Sequence, residues 1–491
     1  MKTEINHMHN LNVWELVEAP DNSKIIKNKW VYTRKRKSNN EIVFRARLVA
    51  TGYQQRQFID YDELYSPTLD IDSLRFLISI GLKRKMNIYT ADVTTAYLHA
   101  DIDKTIFMKQ PDGFDDKSGR VCKLKKSIYG LKQSGRMWNE KISQFLNDCD
   151  LHTARCNTTI FFNKDLSLIV GVYVDDLILI SKNDKIFDEF INKFQSKSNI
   201  QLKITKSLDK FLNIEVKYDK SNSIYFSMKD KIIKLANSVG INKENSQMIP
   251  IRRSKLLEKD LDQPLFLDIN LYQSIIGQIS YIARIVRPDV IFAINQLSRF
   301  NNEPRLTHFK YALQLVQYLF NTRNLSLKYS SLNYHDNIVG FSDSDFANDV
   351  YERRSISGIA IFHNNNLISW KSNMQGESAS SVNSAEIFSA FETSILIETF
   401  YRIMIEFKID TKNHKLYSDS AAVIRYSKYG PVTPKTKNLD AKIFNLRDKV
   451  IQKNIVAQHV KTEFNIADQF TKFLPKDKFL ELRKKLNLVY L

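Results

Sequence analysis

The segment VGVYVDDLILIS (Val170–Ser181) constrains the fold of this chain more than any other. Two apolar, β-rich runs flank the adjacent Asp175 and Asp176. The pattern predicts a hairpin with buried strands and the acidic pair at its turn. Aspartate is common in turns because its side chain bonds nearby backbone, and for the pair alone that reading stays open. Against it, the turn has no glycine, and two adjacent carboxylates at the edge of an apolar sheet repel each other. A divalent cation relieves that repulsion better than water does. A third acid, Asp92, ends an apolar run in ADVTTAYL (Ala91–Leu98), where Tyr97 follows. If the two strands are neighbours in one sheet, Asp92, Asp175 and Asp176 can converge on two Mg²⁺ ions about 3.5–4 Å apart. Hard carboxylate oxygens suit Mg²⁺, which keeps part of its shell for substrate phosphates.

Composition narrows the setting. The chain has 491 residues, enough for two to four domains, and is 43% apolar and 26% charged, too apolar for a disordered chain. Lysine plus arginine (73) exceeds aspartate plus glutamate (54), a net charge of +19. That surplus suits a polyanionic partner through counterion release, although a lysine-rich proteome would produce it too. Cys122, Cys149 and Cys156 lack metal-ligand spacing, which points to a reducing compartment. No secretory h-region opens the chain, and its most apolar stretch, Leu166–Ile180, is split by the two aspartates. The expectation is a soluble intracellular protein without membrane contact.

Along the chain, KWVYTRKRK (Lys29–Lys37) and EIVFRARLVA (Glu41–Ala50) read as strands about a turn at Ser38, Asn39 and Asn40. Helical spacing predicts helices over Ile71–Arg84 and Trp138–Asn147, and a mainly helical Tyr272–Phe320 broken at Pro288 and Pro304. From Ile338 onward strands and helices alternate as in a separate α/β unit, with a boundary expected near Tyr329–Asp336. Within that unit Asp343 and Asp419 each follow a short apolar run, where strand-end carboxylates project into a shared site. Glu386 opens one helical stretch and Asp468 another. Singly, each acid also reads as a helix cap or first-turn charge. Asp345 competes with Asp343, which is favoured because it directly follows the apparent strand.

Several motifs then stand in order: FRARLVATG (Phe44–Gly52), IDYDELYSP (Ile59–Pro67), ADVTTAYLHADI, FMKQPDGF (Phe107–Phe114), KKSIYGLKQSGRMW (Lys125–Trp138) and YVDD (Tyr173–Asp176). Beyond them come GFSDSDFAND (Gly340–Asp349), ISW (Ile368–Trp370), SAEIFSAFE (Ser384–Glu392), LYSDSAAVI (Leu416–Ile424) and NIADQFTKFLP (Asn465–Pro475). This series resembles the reverse transcriptase and ribonuclease H region of copia-type LTR retrotransposon Pol polyproteins over nearly the whole chain. YGLKQSGRMW looks closest to the fungal, yeast Ty-like members.

The resemblance implies an α+β right-hand polymerase with fingers, palm and thumb, followed by an α/β ribonuclease H-like domain. Residues 1–217 would form fingers and palm, 218–332 thumb and connection, 333–475 the ribonuclease H-like domain, and 476–491 a tail. It implies that Asp92, Asp175 and Asp176 hold two Mg²⁺ for nucleotidyl transfer. Asp343, Glu386, Asp419 and Asp468 would hold two more for hydrolysis of the RNA strand of a hybrid, with Mn²⁺ as a substitute. Tyr97 matches the aromatic that blocks a ribose 2′-hydroxyl, Arg47 a triphosphate-binding arginine, and Gln133 with Arg136 the motif packed against nucleotide and template. SIIGQISYIARIVRPDVIFAINQLSRF (Ser274–Phe300) matches the thumb, with Arg284, Arg287 and Arg299 as candidate phosphate contacts.

The implied partners are an RNA template, a DNA primer, their hybrid, dNTPs and the element's integrase. The implied setting is a cytoplasmic virus-like particle with passage into the nucleus. Asn438 stands where many relatives have a histidine that helps product release, Phe346 where tryptophan is usual, and Asn213 where glycine is usual in FLNIEV (Phe211–Val216). These departures sustain the rival reading of a catalytically inactive, decayed or co-opted nucleic-acid-binding remnant. A generic palm nucleotidyl transferase would not carry the C-terminal motifs. No integrase zinc motif, protease triad or gag knuckle is present, and full polyproteins carry those upstream, so a processed product or truncated element is expected.

Overall fold

The computed structural model describes the chain except residues 22, 37–40, 209, 220, 222, 254, 332–336, 348–352, 412, 430–439 and 453–454. The expected turn at Ser38, Asn39 and Asn40, the Asn438 position and most of the expected Tyr329–Asp336 boundary lie outside the described residues. Two compact units emerge: Met1–Asp70 with Tyr89–Lys206, and Ile71–Ile88 with Ser207–Leu491.

The first unit is built on a six-stranded sheet whose central hairpin is the acidic segment of the sequence. Its strand order is Leu202–Thr205, Asn87–Val93, Asp176–Ser181, Leu168–Tyr173, Ile160–Phe162, His152–Thr153. The hairpin strands read as unbroken apolar runs because Ile169, Val170, Val172 and Leu177 to Ile180 are all buried, whichever way they point. Helices Ser134–Asp148 and Asp184–Ser198 supply Trp138, Ile142, Leu146, Phe187, Phe190 and Phe194 to the core shared with Val170, Val172, Leu177 and Leu179. The long hairpin Asn28–Arg36 with Ile42–Ala50 belongs to the same unit, as does a four-stranded sheet of Trp14–Val17, Val121–Leu124, Phe107–Met108 and Ile25–Ile26.

The second unit holds two five-stranded sheets. The first runs Lys210–Phe211, Ile214–Tyr218, Ile224–Ser227, Leu325–Tyr329, Leu488–Tyr490. Its first hairpin turns through Leu212 (φ +49°) and Asn213 (φ +63°), between the paired Phe211 and Ile214. Asn213 thus adopts the left-handed conformation that its usual glycine would, and asparagine does so at low cost. The second sheet runs Asn366–Met374, Ile356–His363, Ile338–Asp345, His414–Ser418, Ile455–His459, antiparallel across the first three strands and parallel across the last three. One face carries the 25-residue helix Val382–Glu406: a Cβ at Gly340 would lie 2.7 Å from a Thr393 methyl.

Three expectations are corrected. Residues 476–491 are no tail: Lys476–Lys485 is a helix, and Leu488–Tyr490 pairs with Leu325–Tyr329 as an edge strand. The expected helix from Ile71 is present as Ile71–Lys83 but belongs with the second unit. There the Arg75 guanidinium lies 3.8 Å over the Trp370 ring and pairs with Asp72 at 2.7 Å. Arg287 is no phosphate contact. It is fully buried, and its guanidinium grips Asp289 at 2.8–2.9 Å and the Thr322 carbonyl at 3.1 Å. Tyr318 donates to Asp289 at 2.5 Å and accepts from Arg483 at 3.1 Å, which ties the C-terminal helix into the network. Arg284, by contrast, is exposed.

Burying the Arg287–Asp289 pair is tolerable only because every charged atom finds a partner. Asp289→Ala leaves Arg287 buried and uncompensated. Urea denaturation should show a loss of about 3–5 kcal/mol, against much less for Asp262→Ala on the surface.

Candidate active sites: two carboxylate clusters

In the first unit Asn87–Val93 is the direct neighbour of Asp176–Ser181, the condition under which Asp92 can meet the hairpin aspartates. The Val93 amide donates to the Asp175 carbonyl at 2.8 Å, locking the two acidic segments side by side. Paired Tyr173 and Asp176 leave Val174 and Asp175 as a two-residue turn, with Val174 at φ +54°. Thr95, three residues past Asp92, stands at φ +57°. Two β-branched residues in the left-handed region are strained, and such strain persists where the surroundings over-determine it. Trp138 contributes to that restraint: its indole N–H donates to the Val174 carbonyl at 2.7 Å.

Burial raises the Asp175 carboxyl above its ordinary range and the Asp92 charge raises it further, while Arg47 and Arg45 pull it down. Beside Asp175 lies a cavity of ≈ 250 Å³ lined by Arg47, Ala96, Tyr97, Tyr129 and Val174. Arg47 stands 5.0 Å over the Tyr129 ring, which meets the Tyr97 ring edge-on at 5.2 Å, and its Nε is buried without a partner. Two glycines make this possible. A Cβ at Gly52 would sit 2.0 Å from the Gly130 carbonyl oxygen, and one at Gly130 (φ +92°) would sit 2.2 Å from that of Ala50. Only bare backbones can cross so closely.

Of the expected nucleotide-site residues, Arg47 and Tyr97 thus come together with Asp175. Gln133 does not line that cavity. It is fully buried, its carboxamide donating to the Asp60 carbonyl at 2.9 Å and accepting from Gln55 at 3.0 Å. Arg136 is engaged by Asp103 and Glu140. Asp176 opens its strand half-buried and, among the described residues, joins no tight group of three carboxylates.

The second unit holds such a group. One ligand oxygen each from Asp343, Glu386 and Asp419 lie within 4.8 Å of one another. Asp343 sits inside the central strand rather than just after it, and Asp419 follows the parallel neighbour His414–Ser418. Glu386, on the first turns of the long helix, accepts from the Ser344 amide at 3.3 Å, and its Oε2 is buried without a hydrogen bond. Desolvation, with mutual repulsion behind it, pushes the Asp343 carboxyl up to about 7 and that of Glu386 up to about 8. Asp468, in the short helical turn Ile466–Phe470, is raised by burial and pairs with Lys472 at 2.5 Å. Three hard oxygen donors, one of them orphaned, fit a divalent cation.

The supporting residues were not singled out from sequence, although each lies in a quoted motif. Thr471 donates to Asp343 at 2.5 Å, and Asn465 donates to Asp419 at 3.3 Å and to the Ser342 carbonyl at 3.0 Å. Lys472 is the nearby cation. Burial and hydrogen bonding, not residue type, mark them.

Both Asp343 and Glu386 titrate above their unfolded range, so the metal-free native state holds extra protons that it must release as pH rises through about 7 and 8. Metal-free protein should lose thermal stability between about pH 5 and pH 8.5. In Asp343→Asn the slope should be shallower, and Mg²⁺ should restore stability at the upper end in the wild type alone.

Residues 11–253 match the family described as reverse transcriptase (RNA-dependent DNA polymerase). The chain is 28% identical over 499 residues to the retrovirus-related Pol polyprotein from transposon TNT 1-94 of Nicotiana tabacum, covering 99% of this chain and 37% of that protein. Against the Pol polyprotein from transposon RE1 of Arabidopsis thaliana it is 28% identical over 498 residues, covering 99% and 33%. The chain thus spans about a third of the length of these relatives, which are plant elements. Among solved structures, a foamy viral protease-reverse transcriptase in complex with RNA/DNA hybrid aligns over 94% of this chain and 54% of its own, at 12% identity and a TM-score of 0.49. Residues 11–253 thus match a reverse transcriptase family, and nearly the whole chain is similar to one stretch of these plant Pol polyproteins.

Proposed function

We propose that the chain is an RNA-directed DNA polymerase with ribonuclease H activity, copying retrotransposon RNA into DNA and degrading the RNA of the resulting hybrid. The observation that carries this reading is the tight group Asp343, Glu386 and Asp419 in one unit, with Asp92 set close enough to Asp175 in the other for its charge to be felt there. In the first, Asp92 and Asp175 are the ligands for Mg²⁺, with Asp176 beside them. Arg47, held against Tyr129, takes the triphosphate, as guanidinium does well. Tyr97 meets the sugar and excludes a 2′-hydroxyl. Gln133 acts at a distance, by fixing the Gln55–Asp60 loop. In the second, Asp343, Glu386 and Asp419 hold Mg²⁺ against a backbone phosphate, while Asp468 with Lys472 closes the site. Mg²⁺ bound at such clusters supplies the charge that activates an attacking oxygen and steadies the leaving one.

Substrates in this proposal are an RNA template, a DNA primer and dNTPs, and the +19 net charge supports a phosphate backbone as partner. Association with an integrase and a cytoplasmic, particle-borne setting with passage into the nucleus rest on the resemblance alone. So does the fungal affinity, which rests on YGLKQSGRMW. No described helix is long and apolar enough to cross a membrane.

Primer extension on an RNA template with Mg²⁺ tests the polymerase. Wild type extends, and Asp175→Asn loses more than the roughly 10–100-fold typical of an outer-shell partner. Asp419→Asn keeps extension and loses RNA cleavage by a similar factor. Hybrid binding without either activity in the wild type would establish the inactive remnant instead. Extension by Asp175→Asn at the wild-type rate would show the metal site to be misassigned. In a second assay, Tyr97→Val should admit ribonucleotides at least about tenfold more readily relative to dNTPs, as expected for losing a steric block.

A further inference from the structure

The Asp343 side of the C-terminal sheet does not end at the carboxylates. Along the central strand Val339, Phe341 and Asp343 share one face, and along its parallel neighbour Lys415, Tyr417 and Asp419 follow in matching register. Phe341 and Tyr417 stack with ring centroids 5.1 Å apart and planes at 22°, and Phe362 meets Phe341 edge-on at 5.9 Å. This aromatic floor begins one side-chain step, roughly 7 Å, from the acidic pair. Above it opens a cavity of ≈ 630 Å³ whose other side is the C-terminal helix, through Lys484 and Lys485.

We propose that this cavity binds a nucleotide: one unpaired base on the aromatic floor, with its phosphate toward the lysines. Four observations converge. The volume is that of a small-ligand site. Exposed aromatic faces stack any base, because every base has a π-face. Asn364 lines the cavity at 2% exposure, and both its carboxamide nitrogen and oxygen lack a hydrogen-bond partner. An unmet buried carboxamide is costly, and its adjacent donor and acceptor match the edge of a nucleobase. Lys415 and Lys484 have no carboxylate partner among the described residues, and no acid lines the cavity. Lys485 is held by Glu481 and is not needed.

A second cavity of ≈ 340 Å³ shares Asn365, Lys484 and Asn487 with the first. Its walls carry Ser223, Ser330 and Lys328, hydroxyls and a cation suited to a further phosphate. The same chemistry serves a free nucleotide or the unpaired end of a nucleic acid strand.

Binding by the full chain in EDTA tests this without depending on either catalytic activity. One arm titrates AMP by calorimetry. The other compares, by fluorescence anisotropy, a labelled RNA–DNA hybrid with a four-nucleotide overhang against the same hybrid blunt-ended. Tyr417→Leu and the surface change Lys484→Glu should each weaken the nucleotide-dependent signal roughly tenfold, with Tyr417→Phe close to wild type. Blunt-hybrid affinity should move far less in Tyr417→Leu. Saturable AMP binding lost in both variants supports the proposal with a free nucleotide as ligand. An overhang preference lost in both supports it with a strand end as ligand. No AMP binding together with equal affinity for overhang and blunt hybrids overturns it, as does any nucleotide binding that both variants leave intact.

Discussion

In each unit carboxylates are drawn together and some of them out of water, and much of the structure is arranged around that cost. A lone carboxylate moved out of water takes up a proton, and a group of them resists ionisation together. Asp343 and Glu386 are pushed up to about 7 and 8, and Asp175 is raised by burial and by Asp92. The packing around these acids must exceed that penalty before any cation arrives. It does so by placing them on strands and on a helix start whose far ends are deep in the core. Lys472 beside Asp468, and Arg45 and Arg47 near Asp175, offset part of the repulsion without satisfying it. The proposed metal–phosphate complex would fill that deficit.

The same cores hold backbone strain. Val174 and Thr95 are the wrong residue types for positive φ, yet the Trp138 indole and the Val93 amide hold their turns. Gly52 and Gly130 solve the opposite problem, letting two backbones cross where any side chain would collide, and so bring Tyr129 under Arg47. A different solution serves the second unit. Arg287 and Asp289 neutralise each other inside it, and Tyr318 and Arg483 complete the shell. A buried pair of this kind contributes orientation more than stability, and here it orients the C-terminal helix.

Local pattern foretold the acidic hairpin, because an uninterrupted apolar run on either side of two aspartates has few other solutions. It foretold the position of Asp419 just past its strand and the helical position of Glu386 for the same reason, but placed Asp343 after a strand that in fact runs on to Asp345. It misread Arg287, since a basic residue in a helical stretch looks alike whether it meets solvent or a buried aspartate two residues on. It misread residues 476–491, since the strand Leu488–Tyr490 exists only by pairing with a segment some 160 residues away. Gln133 belongs to a motif that resembles a nucleotide site, but its carboxamide is spent on Gln55 and Asp60.

The sequence by itself determined which residues carry charge, where strands and helices begin, and the family order of the motifs, because these follow from periodicity and residue chemistry over short spans. Only the tertiary structure decided which carboxylates meet, which arginine is buried, and which amides are left without partners. Those depend on strand order and on packing between distant segments. Asp92 becomes a neighbour of Asp175 only once Asn87–Val93 lies beside Asp176–Ser181. Phe341 and Tyr417 become one floor only once their strands pair in parallel register.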